Sequence, residues 1–73
     1  MKVKDFIKVL DMTTKVCFLK NGKPYKIKND SISARYFYKV EQVFKDEKLL
    51  NYSIILVKGA GRDAIVVKLK KEE

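Results

Sequence analysis

Asn21 and Gly22 interrupt the stretch "KVCFLKNGKPYKIK", and no other pair of residues restricts this chain's fold as strongly. A type I′ turn needs positive φ at both central positions. Asn-Gly tolerates this, so the pair between two alternating segments marks a β-hairpin. Before it, Val16 and Phe18 alternate with Lys15 and Cys17; after it, Tyr25 and Ile27 alternate with Lys26 and Lys28. One face of the hairpin is apolar and the other is cationic. Pro24 has no amide proton for a ladder, so the second strand should begin at a sheet edge or beside a bulge. Lys15, Lys20, Lys23, Lys26 and Lys28 all belong to this hairpin, and residues 12–29 contain no acid.

Three further segments complete the pattern. In "VKDFIKVL", Val3, Phe6, Ile7 and Leu10 recur at helical spacing, while Lys2, Lys4, Asp5 and Lys8 fall on the other side. That describes one short amphipathic helix, too short to persist in water without a sheet to dock on. "YSIILVKGAGRDAIVVKLKK" reads as a second hairpin. Its continuous apolar run, residues 54–57, suggests a central strand, and Ile65, Val67 and Leu69 alternate with Val66, Lys68 and Lys70. Residues 59–63 form the connection, and residues 70–73 are a frayed charged tail.

Residues 30–51 can be scored two ways. As a helix, Tyr36, Phe37, Val40, Val43 and Phe44 share a face, Asp30 or Ser31 supplies the N-cap, and Asn51 ends it in a left-handed cap. As a strand, Gln42 interrupts the apolar face, although Tyr, Phe and Val favour strands. The periodicity selects the helix. The fold class is then α+β: a small antiparallel sheet of two hairpins with two covering helices, in the order α-β-β-α-β-β, forming a single domain over residues 1–73.

With 73 residues, nearly every large apolar side chain should be needed for the core, which leaves no roomy substrate pocket. One cysteine and no histidine exclude an internal disulfide and leave no ligand set for structural zinc. No cofactor or metal is expected. A lone thiol points to a reducing compartment, the cytoplasm. No apolar run reaches the roughly 20 residues of a membrane span, and the N-terminal residues are too charged for a signal peptide.

Acid–base and nucleophilic chemistry find little to work with. Cys17 has no imidazole to activate it, and the nine carboxylates suit caps, turns and the tail rather than a catalytic pair. "GAGRD" leads into a strand, not into a helix whose amides would hold a phosphate. The chain is read as a non-enzyme.

The positive charge is the best functional signal. The formal net charge is +8, of which residues 1–29 carry +6. Such a patch favours polyanions or an acidic protein surface. Only two of the seventeen basic residues are arginine, which suits loose electrostatic contact better than base-specific reading. The candidate partner-binding residues are Lys15, Lys20, Lys23, Lys26 and Lys28. Tyr38 beside Arg35 provides an anchor near the surface, and Arg62 lies at the tip of the second hairpin.

"VKDFIKVLDMTTKVCF", a short helix running through "TTKV" into a strand, resembles the opening of small phage-encoded proteins of low-GC Gram-positive bacteria. "LLNYSIILV" followed by "DAIVVKL" is similar to their closing hairpin. The resemblance covers the two ends of the chain, and the group shares no catalytic residues. It implies a mobile-element origin and a protein that binds and blocks host machinery, including CRISPR nucleases and other defence complexes. The basic character departs from acidic DNA mimics and would suit contact with guide RNA or an acidic protein surface. The expected function is a non-enzymatic inhibitor or modulator of a host protein or nucleoprotein complex. A stand-alone nucleic-acid-binding module is the alternative.

Overall fold

A computed structural model describes residues 1–27 and 36–70. Its elements are α1 (Val3–Ile7), β1 (Lys15–Lys20), β2 (Lys23–Pro24), β3 (Tyr38–Lys39), α2 (Val40–Val43), α3 (Glu47–Leu50), β4 (Ile54–Gly61) and β5 (Ala64–Leu69). The architecture is α+β. The strand order is β2-β1-β5-β4, and β3 pairs with β1 at the opposite end from β2.

Both hairpins form. Asn21 has φ 53° and Gly22 has φ 79°, as the type I′ turn requires, and Lys20 pairs with Lys23. A Cβ added at Gly22 would meet nothing within 4 Å, so Gly22→Ala isolates the dihedral penalty of a left-handed residue. A loss of about 1–2 kcal/mol is expected, read from the urea unfolding midpoint; an unchanged midpoint would contradict the assigned turn. β2 lies at an edge, consistent with Pro24.

The sheet is mixed rather than antiparallel, which corrects the sequence expectation. β1 and β5 run parallel, with Val16 opposite Ile65 and Phe18 opposite Val67. Parallel neighbours need a long crossover, and the chain between them contains β2, β3, α2, α3 and β4. Alternation within each strand sets its faces but not the direction in which two hairpins meet.

The core gathers Val16 and Phe18 of β1, Val67 and Leu69 of β5, Val3 and Ile7 of α1, Val40 and Val43 of α2, and Leu49 of α3, together with Ile27, Tyr38 and Tyr52. Each such side chain contributes on the order of 1.5–3 kcal/mol when fully buried. α1 packs as its stripe predicts: Val3 and Ile7 are buried, Phe6 and Leu10 pack partly against the core, and Lys2, Lys4, Asp5 and Lys8 stay exposed. Backbone bonds fasten it: the Val3 amide donates to the Tyr52 carbonyl at 2.9 Å, and the Ile54 amide to the Met1 carbonyl at 2.8 Å.

The long central helix does not form. Among the described residues, Tyr36 takes φ 60°, Tyr38–Lys39 pairs with Lys15 and Val16, and only then does the chain turn helical. Asp46, extended at φ −110° and ψ 94°, separates α2 from α3. The β propensity of Tyr-Phe-Tyr prevails because β1 offers an unfilled edge beside it. Phe44, expected in the core, is 44% exposed. Asn51 does cap α3, but in the right-handed region at φ −91°, with its side-chain amide donating to the Glu47 carbonyl at 2.9 Å. The proposed caps Asp30 and Ser31 lie outside the described residues.

β4 is an edge strand, not a central one. β5 already has β1 on its other side, so β4 receives a single neighbour. Ile55, Leu56 and Val57 remain 62%, 47% and 43% exposed, so the core does not use every large apolar residue. β4 also extends into the expected connection, leaving only Arg62 and Asp63 between Gly61 and Ala64. Of the expected charged tail, the Lys70 amide donates to the Ser53 carbonyl at 2.8 Å, and residues 71–73 lie outside the described residues.

Candidate anion-binding groove

The β1–β2 hairpin and the α2–α3 corner together line an open groove of about 860 Å³. From the hairpin come Lys20, Lys23, Pro24, Tyr25 and Lys26; from the corner come Phe44, Lys45, Asp46, Glu47 and Lys48. Five ammonium groups thus share one depression with two carboxylates.

Asp46 holds the two walls together. One carboxylate oxygen accepts from the Leu49 amide at 3.0 Å and caps α3, while the other accepts from the Tyr25 hydroxyl at 3.0 Å. Tyr25 also meets Tyr52 edge-on, with ring centroids 6.1 Å apart. Lys20 is half-buried, and its ammonium lies 5.2 Å from the centre of the Tyr52 ring. That cation–π contact holds the ammonium beside the ring. With Asp46 engaged on both oxygens, Glu47 is the other acid that offsets the lysines. Asp46→Ala should cost about 1–2 kcal/mol through loss of the cap, measured by thermal melting, and Asp46→Asn should recover part of it. Equal losses in both variants would show that capping is not what Asp46 contributes.

The sequence candidates divide into groups. Lys20, Lys23 and Lys26 come together at the groove. Lys15 and Arg62 do not join them. Lys15 pairs with Ala64 at the other end of β1, roughly 17 Å away at about 3.3 Å per residue, beside the turn that carries Arg62. Lys28 and Arg35 lie outside the described residues. Tyr38 is corrected: it is only 1% exposed, and its hydroxyl accepts the Ile27 amide at 3.3 Å, so it is a core residue and not a surface anchor. Pairing with Val16 turned its ring inward.

Phe44, Lys45 and Lys48 were not among the sequence candidates. They lie in the stretch of residues 30–57, where acids and bases balance, so charge counting passes over them. The i, i+3 spacing of Lys45 and Lys48 was the available signal, and it means something only once the hairpin packs opposite.

Other chemistry-bearing groups lie elsewhere. Cys17 is buried, and desolvation pushes its thiol above the ordinary value, which lowers the fraction present as the reactive thiolate. The Asp11 carboxyl is held below its usual range by the Thr13 amide at 2.9 Å and the Thr13 hydroxyl at 2.8 Å, a local turn that ends the α1 region. Among the described residues, no three His, Cys, Asp or Glu side chains cluster to hold a metal ion, and no helix is long and apolar enough to cross a membrane. Comparison with protein-family models, with curated proteins and with solved structures gives no match.

Proposed function

We propose that this chain is a small non-enzymatic binding protein of phage type that inhibits or modulates a host protein or nucleoprotein complex in the cytoplasm, using the lysine groove to engage an anionic surface. The observation that carries this reading is the convergence of Lys20, Lys23, Lys26, Lys45 and Lys48 on one open depression. Charges far apart in the chain reinforce one another there, and a concave low-dielectric wall focuses their field. The groove is wide and open, suited to a protruding acidic loop or a phosphate backbone rather than to an enclosed small molecule.

Phe44 favours a second reading, direct binding of single-stranded nucleic acid. An exposed aromatic ring beside lysines is the arrangement on which bases stack. A salt series separates the two. Binding to a labelled oligonucleotide should weaken by about 0.7 log unit per log unit of salt for each phosphate neutralised, and Phe44→Ala should weaken it further. If no oligonucleotide binds at low salt while a partner is captured from host extract and lost on groove charge reversal, the protein-directed reading stands. If neither nucleic acid nor protein binds, both readings fail.

A further inference from the structure

The two faces of the sheet differ. Val16 and Phe18 point into the core, so alternation sends Lys15, Cys17 and Leu19 to the opposite face. The strand register arranges that face in rows: Leu19, Lys68 and Leu56 in one; Cys17, Val66 and Lys58 in the next. Leu19, Leu56, Val66, Lys58 and Lys68 line a shallow hollow of about 230 Å³. No acid lines it. This surface is separate from the lysine groove, whose Lys20 lies on the core side of β1.

The hollow lies beside β4, whose outer edge is bridged at its start, where Lys2 pairs with Ser53 and the Ile54 amide donates to the Met1 carbonyl; beyond Ile54 that edge pairs with no strand among the described residues. Proteins usually protect such an edge with charge, proline or bulges. β4 carries one charge, Lys58, and no proline. Register shifts occur between Ile54 and Leu56 and between Gly59 and Gly61. They leave residues 56–59 as a short regular ladder whose Leu56 and Val57 side chains are exposed.

We propose that the β4 edge receives an extended acidic segment of a partner protein, added antiparallel as a further strand. The register dictates its chemistry. Opposite Lys58 a carboxylate is favoured, opposite Val57 an apolar side chain, and opposite Leu56 a second apolar side chain that extends the Leu19–Leu56–Val66 surface. The recognised element therefore reads acid-apolar-apolar from its N-terminal side. Lys68, in the adjacent row, adds attraction for the same carboxylate. A second copy of this chain is a poor occupant. Each copy carries net charge +8, and pairing about Val57 would place each Lys58 against a Leu56 with no acid to meet it.

The test uses the intact chain and a fluorescein-labelled, C-terminally amidated peptide, Ser-Asp-Thr-Glu-Val-Val, whose last valine falls opposite Leu56 and so stops short of the Lys2–Ser53 bridge, with a control in which lysine replaces both acids. Saturable binding of the acidic peptide is expected, at least tenfold tighter than the lysine control. Amides of residues 55–59 should gain hydrogen-exchange protection. Lys58→Glu and Leu56→Asp should each weaken binding at least tenfold while the circular dichroism spectrum and melting temperature hold, because both side chains are exposed. Lys23→Glu with Lys26→Glu should leave peptide binding unchanged, which separates this proposal from the groove. Equal binding of both peptides, displacement of the peptide by an oligonucleotide, or a dimer in sedimentation that Leu56→Asp dissociates would each overturn it.

Discussion

Replacing Tyr38 with alanine is expected to leave a chain that no longer folds cooperatively at room temperature. Tyr38 is the largest fully buried side chain of the core and pairs across the sheet with Val16. Truncating a buried aromatic costs about 3–5 kcal/mol. A domain this small has a total stability of roughly 4–11 kcal/mol at about 0.05–0.15 kcal/mol per residue, so one substitution removes a large share. The hydroxyl has its own role, because it is the acceptor for the buried Ile27 amide at 3.3 Å. Tyr38→Phe keeps the ring and orphans that donor, at a cost of about 1–3 kcal/mol, which lowers the melting temperature by roughly 4–8 °C for each kcal/mol. Thermal and urea denaturation of both variants read the two contributions separately. A Tyr38→Phe protein as stable as the parent would mean that the Ile27 amide finds another partner.

Charge reversal in the groove should have the largest effect on binding. Changing Lys23, Lys26 and Lys48 to glutamate turns the groove from five lysines and two acids to two lysines and five acids. All three side chains are exposed, so the fold should tolerate the change, with a melting temperature within a few degrees of the parent. Each surface charge contributes modestly by itself, but reversal adds repulsion to the attraction it removes. Affinity for an anionic partner should fall by at least a hundredfold, in solution titration or in capture from host extract. Lys15→Glu with Arg62→Glu, made at the far end of β1, is the matched control and should change binding far less. Equal losses in the two sets would assign the interaction to overall charge and remove the groove from the account. Unchanged binding in both would make the lysines a solvated surface with no recognition role.

The sequence by itself determined what depends on neighbours in the chain. Asn21 and Gly22 set a turn whose φ angles follow from their own sterics. The 3.6-residue stripe of Val3 and Ile7 and the two-residue alternation of Val16, Phe18, Val67 and Leu69 set which faces are buried. The clustering of lysines on the first hairpin was legible for the same reason, and Lys20, Lys23 and Lys26 do meet at one groove. The tertiary structure alone decided what depends on competition between distant segments. Residues 38–39 became a strand because an unfilled edge of β1 outbid the local helical periodicity. β5, and not β4 as the apolar run of residues 54–57 suggested, took the place beside β1, since a sheet edge is assigned by what else is available to pair and not by one segment's pattern. Phe44, Lys45 and Lys48 became groove residues only when α2 and α3 packed opposite the hairpin. Local periodicity reports the preference of a segment, while pairing and burial are settled among all segments together, and the more stable joint arrangement can override any one of them.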